Sequence, residues 1–277
     1  MSNILFDEPG PRTVARHRLY TVIASAALLL VVAFVVWRLY REGQFAADLW
    51  EPLVTPAYML ALLDGMVVTL QMAFTAVLGA LVLGVLLGIG KLSEHGWVRW
   101  PCWAVVEFFR AVPVLILIIF VFTLYALDKG DAGEYWSVVV ALTLYNGAVL
   151  AEVFRAGVLA VPSGQAEAAY AIGMRKTQVM TVVLLPQAVK IMLPAIISQM
   201  VVALKDTSLG YVTTALVLTT VGEQIYGQFR NQIPTVIVVA AMYITVNLIL
   251  TALATRAQKR YVGEKKPLVI EMGNAAA

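Results

Sequence analysis

Long apolar runs constrain this chain more than any other feature. An α-helix needs about 20 apolar residues to cross the hydrocarbon core of a bilayer. Six segments approach or exceed that length, at about 19–40, 59–89, 105–127, 135–154, 187–204 and 233–254. A core helix of a soluble protein keeps a polar stripe, which these segments lack. The sequence therefore predicts an all-α polytopic membrane protein with six transmembrane helices.

Composition supports this class and narrows the chemistry. Of 277 residues, 61% are hydrophobic and 13% are charged, whereas about 25% are charged in a typical soluble domain. The single cysteine, Cys102, excludes an internal disulfide and a cysteine-based metal cage. We expect no bound metal and no nucleic-acid partner. The polar residues 1–18 differ from a signal peptide, so the first apolar run is interpreted as a retained span.

The distribution of charge predicts the orientation in the membrane. Loops on the cytoplasmic side carry an excess of Lys and Arg. Basic residues cluster in 1–18, 91–99, 155–190 and 256–266, whereas 48–56 and 128–134 have an acidic excess. Six spans with both termini in the cytoplasm satisfy these loops, with Arg38 and Arg41 as exceptions on the outer side. The segment 155–186 is then cytoplasmic.

This cytoplasmic segment has a pattern of its own. Helix-forming Ala, Glu and Gln residues lead to Gly173, which is followed by a basic patch at Arg175-Lys176 and a new apolar run. Glycine takes the positive φ of a sharp turn without a steric penalty. The pattern predicts a helix, a tight turn and a second helix at the membrane surface, on which a protein outside the membrane can act.

The spacing within this segment resembles the EAA signature of permease subunits of ABC importers. The matching residues are Glu167-Ala168-Ala169, Gly173 after three further residues, and Val183-x-Leu185-Pro186. Other stretches are similar to the polar-amino-acid branch of these permeases: Gly65-x-x-x-Thr69-Leu70, Glu107-Phe108-Phe109-Arg110 with Pro113, Glu152-x-x-Arg155-x-Gly157, Leu185-Pro186-Gln187-Ala188 and Leu204-Lys205-Asp206-Thr207-Ser208-Leu209. The resemblance covers about residues 60–256, and the chain is similar to glutamate-type permeases of actinobacteria. The tripeptide Ala111-Val112-Pro113 departs slightly from the form common in the branch.

The resemblance implies an organisation for the whole chain. A five-helix permease core occupies 57–256, and its coupling segment is 155–186. Residues 19–56 form an extra first helix with a linker, and 1–18 and 257–277 are cytoplasmic tails. The implied partners are a second permease subunit, a different chain in glutamate-type systems, together with two ATPase subunits and an extracytoplasmic solute-binding protein. The implied location is the bacterial plasma membrane, with lipid around the spans.

The resemblance also implies that this chain is not an enzyme. No glycine-rich phosphate loop ending in Lys-Ser or Lys-Thr occurs in the sequence. ATP and Mg²⁺ are therefore expected on the partner ATPases, with no cofactor on this chain.

The resemblance assigns ATPase coupling to six residues: Glu167, Ala168, Ala169, Gly173, Arg175 and Pro186. Glu167 offers a carboxylate to a basic residue of the partner, and the two alanines allow a close approach. Pro186 either ends the connection or begins the next helix, where a missing N–H is tolerated. The alternative interpretation is a solvated amphipathic loop.

A second group of residues is expected to line the substrate path or its gate. Lys205, Asp206, Thr207 and Ser208 interrupt apolar sequence at the end of the fifth span. Polar backbone at membrane depth persists only where protein or water covers it. Alternatively, Lys205 and Asp206 neutralise each other. Glu223, Gln71 and Asn146 are further candidates, for which an outer loop or interhelical hydrogen bonding are the alternatives.

Two pairs of opposite charges are expected to be structural. Glu152 and Arg155, and likewise Glu107 and Arg110, are three residues apart and share a helix face. For Glu152 and Arg155 the alternative is that they face lipid headgroups, and for Glu107 and Arg110 the alternative is a role in transport.

The sequence as a whole predicts the permease of an ATP-driven importer for polar amino acids, with glutamate, glutamine or aspartate as substrate. An ion-coupled carrier and a passive channel are the rival functions. The substrate, the identity of the second permease and the role of the first helix stay open.

Overall fold

The computed structural model describes residues 10–126 and 129–262, and every regular element in that part of the chain is helical. The eleven α-helices are α1 (Pro11–Arg41), α2 (Ala47–Val54), α3 (Pro56–Lys91), α4 (Gly96–Ala111), α5 (Val114–Tyr125), α6 (Gly130–Leu159), α7 (Ser163–Ala171), α8 (Lys176–Gln178), α9 (Leu185–Asp206), α10 (Leu218–Phe229) and α11 (Gln232–Val262). A π-helical segment, Val179–Leu184, joins α8 to α9, and a 3₁₀ segment, Thr207–Thr213, follows α9. Residues 1–9, 127–128 and 263–277, which include parts of the two predicted tails and of the loops in the charge argument, lie outside the described residues.

Five of the helical segments are long and apolar enough to cross a membrane, and the bent pair α4 and α5 makes a sixth only if it is counted as one span. The all-α polytopic fold is therefore confirmed. The third predicted span is wrong as a single helix, because α4 and α5 meet at an angle of 103°. The break falls at Val112 and Pro113. A proline disfavours helical backbone in the residue before it, and Val112 is accordingly extended, with ψ at 127°.

The first helix stands apart from the other spans. The most apolar part of α1 buries none of its residues against the rest of the chain. The short helix α2 is fixed to the bundle instead, since the Asn231 side chain donates a hydrogen bond of 2.8 Å to the Leu49 carbonyl. An apolar helix without protein contacts has to be covered by lipid or by another chain.

The centre of the bundle is the pair α3 and α6, which approach each other closely at glycines. A side chain at Gly84 would place its Cβ 2.8 Å from Leu150 and 3.1 Å from the Gly147 carbonyl, and one at Gly88 would lie 3.1 Å from Phe154. Small residues let membrane helices pack at short distance. The Gly84-x-x-x-Gly88 pattern therefore serves packing within the subunit.

The polar stretch after the fifth span is folded. The helix α10 buries Leu218, Val221 and Ile225 against α3 and α11. The Leu218 N–H donates a hydrogen bond of 3.0 Å to the hydroxyl of Thr69 on α3. The structure therefore places α10 as a packed element of the core.

Candidate functional site

The predicted coupling segment consists of α7, a glycine turn, and α8 leading into α9. Gly173 has a φ of +82°. Its N–H donates to the Tyr170 carbonyl at 2.9 Å, and the Met174 N–H donates to the Ala169 carbonyl at 3.1 Å. These two bonds form a Schellman motif, which satisfies carbonyls at the end of α7. This is the predicted order of helix, turn and helix.

The six residues predicted for coupling differ in their exposure. Glu167, Ala168 and Arg175 are exposed, and Pro186 lies in the first turn of α9. Ala169 is only 5% exposed. The sequence did not show this burial, because it depends on the packing of this side of α7 against its own chain. Glu167 remains on the free side of the same helix.

A contact between charges ties the coupling segment to another part of the same end of the bundle. The Lys176 ammonium group contacts the carboxylate of Glu94, which lies between α3 and α4. The hydrogen bond from Lys176, reinforced by its positive charge, lowers the pKa of Glu94. Both side chains are more than half exposed, so the contact orients the loop and adds little to stability.

Removing Lys176 is expected to reverse the shift in the pKa of Glu94. In a Lys176→Gln variant, the pKa of Glu94 should rise toward its ordinary value of 4.5. Because the pKa is lowered in the folded chain, the contact is complete above the ordinary value and is lost as the pH falls through the lowered one. A carbon NMR titration of labelled glutamate carboxylates measures this shift. Arg175→Gln is the matched control, and an unchanged Glu94 pKa in Lys176→Gln would contradict the assignment.

A charge cluster lies where α3, α4 and α6 meet at this end of the bundle. Lys91, the last residue of α3, has a side chain that is 3% exposed. Its ammonium group contacts Glu152 and lies 3.5 Å from Glu107 Oε1. Arg155 Nε donates to Glu152 Oε2 at 3.1 Å, and Arg110 Nη1 donates to Glu107 Oε1 at 3.3 Å. Lys91 thus joins the two predicted pairs into one network.

Sequence reasoning missed the position of Lys91, which it placed in a loop. A signal was present, because Lys91 directly continues a long apolar run without an intervening polar residue. An ionisable residue there needs an opposite charge. The sequence could not show that both glutamates reach it, since they are 16 and 61 residues away.

The residues predicted for the substrate path begin at the last turn of α9. Lys205 is exposed, Asp206 is half-buried and Thr207 is buried. The Ser208 carbonyl accepts a hydrogen bond of 2.9 Å from Thr219 Oγ1. Among the described residues, neither Lys205 nor Asp206 has an ion-pair partner within 4.0 Å. Mutual neutralisation fails because successive residues do not face each other on a helix.

The other three path candidates lie elsewhere. Glu223 is exposed on α10, beside a cavity of about 290 Å³ that Tyr211, Thr219 and Tyr226 also line. Asn146 is 1% exposed and uses both ends of its amide, since it donates to the Leu142 carbonyl and accepts from Gln199 at 2.6 Å.

Gln71 is exposed on α3. Lys205, Asn146 and Gln71 are absent from the lining of the Glu223 cavity within the described chain.

Two polar side chains on α11 were not among the predicted site residues. The Tyr243 hydroxyl and Asn247 Oδ1 are buried without a hydrogen-bond partner among the described residues, as is Thr220 Oγ1 on α10. Unpaired buried polar groups are rare and call for an explanation. Tyr243 and Asn247 are four residues apart within an apolar run, and this spacing was the signal for them in the sequence. In the same part of the chain, no three His, Cys, Asp or Glu side chains are grouped to hold a metal ion.

Known proteins match this chain over most of its length. The family model for the binding-protein-dependent transport system inner membrane component matches residues 80–263. The glutamate transport system permease protein GluD of Corynebacterium glutamicum is 42% identical over 223 residues, which cover 79% of this chain and 82% of GluD. The glutamate/aspartate import permease protein GltK of Escherichia coli O6:H1 is 29% identical, with 72% and 92% covered. A crystal structure of an amino acid ABC transporter with histidines superposes with a TM-score of 0.67, at 27% identity over 74% of this chain and 95% of that one.

Proposed function

This chain belongs to the family of binding-protein-dependent transport system inner membrane components, and from that premise we propose that it forms the translocation path of an ATP-driven importer whose substrate is glutamate. The observation that supports glutamate as the substrate is the 42% identity to a glutamate permease over 82% of that protein. Aspartate and glutamine are the neighbouring alternatives, because they share the α-amino acid group and a polar side chain of similar size.

The proposed point of coupling is Glu167. Its carboxylate stands on the exposed side of a nine-residue helix, and the opposite side of that helix is fixed by buried Ala169. Such a helix presents a negative charge at a defined position. A basic residue in a groove of an ATPase subunit is the complementary surface. We place this segment on the cytoplasmic side, in agreement with the basic residues around it.

The helix α9 is the proposed link between coupling and substrate. It continues from the coupling segment through Val179–Leu184 and ends at Asp206. Its 22 residues correspond to about 33 Å at a rise of 1.5 Å per residue, which is the thickness of the hydrocarbon core. In this scheme a displacement of α7 is transmitted along α9, which has Pro194 in its interior, to Lys205 and Asp206. ATP-driven closure of the ATPases would switch the path between inward-facing and outward-facing states.

The proposed complex contains this chain, a second and different permease chain, two ATPase subunits and an extracytoplasmic solute-binding protein. ATP and Mg²⁺ bind to the ATPases in this scheme. This chain then contributes the path and the coupling surface, and it does not catalyse hydrolysis.

Transport by the reconstituted complex tests the function. We expect uptake of labelled glutamate into proteoliposomes only with ATP, the ATPases and the binding protein present, and weaker uptake of histidine or lysine. Uptake by this chain alone under an ion gradient would favour a carrier. Flux that does not depend on ATP would favour a channel. A preference for a cationic amino acid would contradict glutamate as the substrate but would remain consistent with an ATP-driven importer.

Neutralising Lys205 is expected to weaken transport of the acidic substrate selectively. Lys205 is exposed at the end of α9, and a charge-assisted hydrogen bond contributes about 1.5–3 kcal/mol. In the complete complex, Lys205→Gln should raise the KM for glutamate by about tenfold or more, with little change for glutamine. Lys190→Gln, an exposed lysine near the other end of α9, is the control. Equal losses for both substrates would contradict a contact with the side-chain carboxylate.

A further inference from the structure

A cavity of about 620 Å³ opens beside the charge cluster. Its lining residues are Lys91, Arg99, Trp100, Trp103, Glu107, Arg110, Glu152 and Arg155. Four of these side chains are cationic and two are carboxylates, so the cavity carries a net charge of +2. We call it the basic cavity. An excess of positive charge in a cleft attracts anions and concentrates them.

The cluster leaves donors available in this cavity. Lys91 is held between two carboxylates, and Arg155 and Arg110 contact Glu152 and Glu107 through Nε and Nη1. Each of these guanidinium groups has further N–H donors.

Arg99 is different, because within the described residues no carboxylate oxygen lies within 4.0 Å of it. The excess charge of the basic cavity therefore resides mainly on arginines, which bind phosphate by paired hydrogen bonds.

The rim of the basic cavity is aromatic. Trp100 and Trp103 on α4 are 63% and 48% exposed, and Trp97 on the same helix is 78% exposed. Tryptophan is enriched at the level of the lipid headgroups, where its ring is partly apolar and partly hydrated. The lining residues Arg99, Trp103, Glu107 and Arg110 recur every three or four positions and share one face of α4. This helix has the composition of one that lies at a membrane surface.

We propose that the basic cavity binds the headgroup of an anionic phospholipid, in the leaflet on the side of the coupling segment. The phosphodiester would contact the guanidinium groups of Arg99, Arg110 and Arg155, and the tryptophan rim would contact the glycerol and the first acyl carbons. Basic pockets between transmembrane helices recognise anionic headgroups in this way. A free phosphate or a substrate carboxylate shares the anionic chemistry, but neither accounts for the two exposed tryptophans that line the cavity beside the charge. This inference depends neither on the identity of the transported substrate nor on the role of Glu167.

Native mass spectrometry of the full chain in detergent tests the proposal, with titrated phosphatidylglycerol compared with phosphatidylcholine of the same acyl chains. Phosphatidylglycerol should bind more tightly. Arg99→Gln should weaken its binding about fivefold, the effect of one basic residue near an anionic membrane surface. Glu107→Gln should strengthen it by a similar factor, because the cavity gains one positive charge. A variant that merely disturbed the fold would not bind more tightly.

Lys190→Gln is the matched control, since it removes an exposed cation of the same end of the bundle that is outside the cavity lining. Equal affinity for the two lipids, or an equal loss in Lys190→Gln and Arg99→Gln, would overturn the proposal. Displacement of phosphatidylglycerol by equimolar free phosphate or glutamate would reassign the cavity to a soluble anion. Retention of the lipid against both competitors supports a headgroup site.

Discussion

Replacing Glu167 with lysine is expected to uncouple the complex, with at least a 100-fold loss of affinity for the ATPase subunits. The side chain is exposed on α7, and no ion pair within the described residues depends on it. The folded chain should therefore tolerate the change. At the proposed interface the new cation would face a basic residue, and like charges brought together in an interface cost several kcal/mol. Co-purification of the ATPases and substrate-stimulated ATP hydrolysis measure the effect.

Two further variants separate charge from helix damage. Glu167→Gln removes the charge without reversing it and should give an intermediate loss. Ala171→Lys introduces a lysine at another exposed position of α7, outside the EAA pattern, and should keep most of the coupling. If Glu167→Lys retains normal ATPase stimulation while the complex assembles, Glu167 is not the point of coupling. Equal losses in Glu167→Lys and Ala171→Lys would indicate a general effect of added positive charge.

Replacing Lys91 with methionine is expected to give a large loss of stability. Lys91 Nζ serves both Glu107 and Glu152 from a side chain that is 3% exposed. Removing one partner of a buried ion pair costs about 3–5 kcal/mol. Because the two glutamates are 40% and 22% exposed, solvent offsets part of this, and we expect about 3 kcal/mol. That corresponds to a fall of about 6–12 °C in the unfolding midpoint.

A compensating substitution and a surface pair provide the comparison for Lys91. Lys91→Met combined with Glu152→Met removes both charges, and an apolar pair of similar volume should restore most of the stability. Glu42→Gln breaks the exposed pair with Arg38, which should shift the midpoint by about 2 °C or less. The midpoint is measured by the loss of monodisperse protein after heating in detergent. An effect of Lys91→Met no larger than that of Glu42→Gln would show that the cluster contributes no buried electrostatic stability.

The two main differences between expectation and structure have separate physical causes. The spans could be predicted from the length of the apolar runs alone. One of them is divided at Val112 and Pro113, because proline restricts the backbone there, and a hydropathy pattern does not report backbone geometry. The helix and turn of the coupling segment could be predicted from the spacing of Glu167 and Gly173. The burial of Ala169 could not be predicted, because the exposed and buried sides of α7 depend on what packs against it.

What the sequence determined by itself is local or repetitive: six apolar segments, a glycine at the turn after α7, and charges three residues apart on one helix face. Each of these depends on a single helix, so periodicity and composition are enough to find it. Tertiary structure decided which of the charges meet. Lys91 joins Glu107 and Glu152 only because close packing at Gly84 and Gly88 brings the ends of α3 and α6 together beside α4. The same convergence forms the basic cavity, since α3 and α6 add Lys91, Glu152 and Arg155 to the residues that α4 presents.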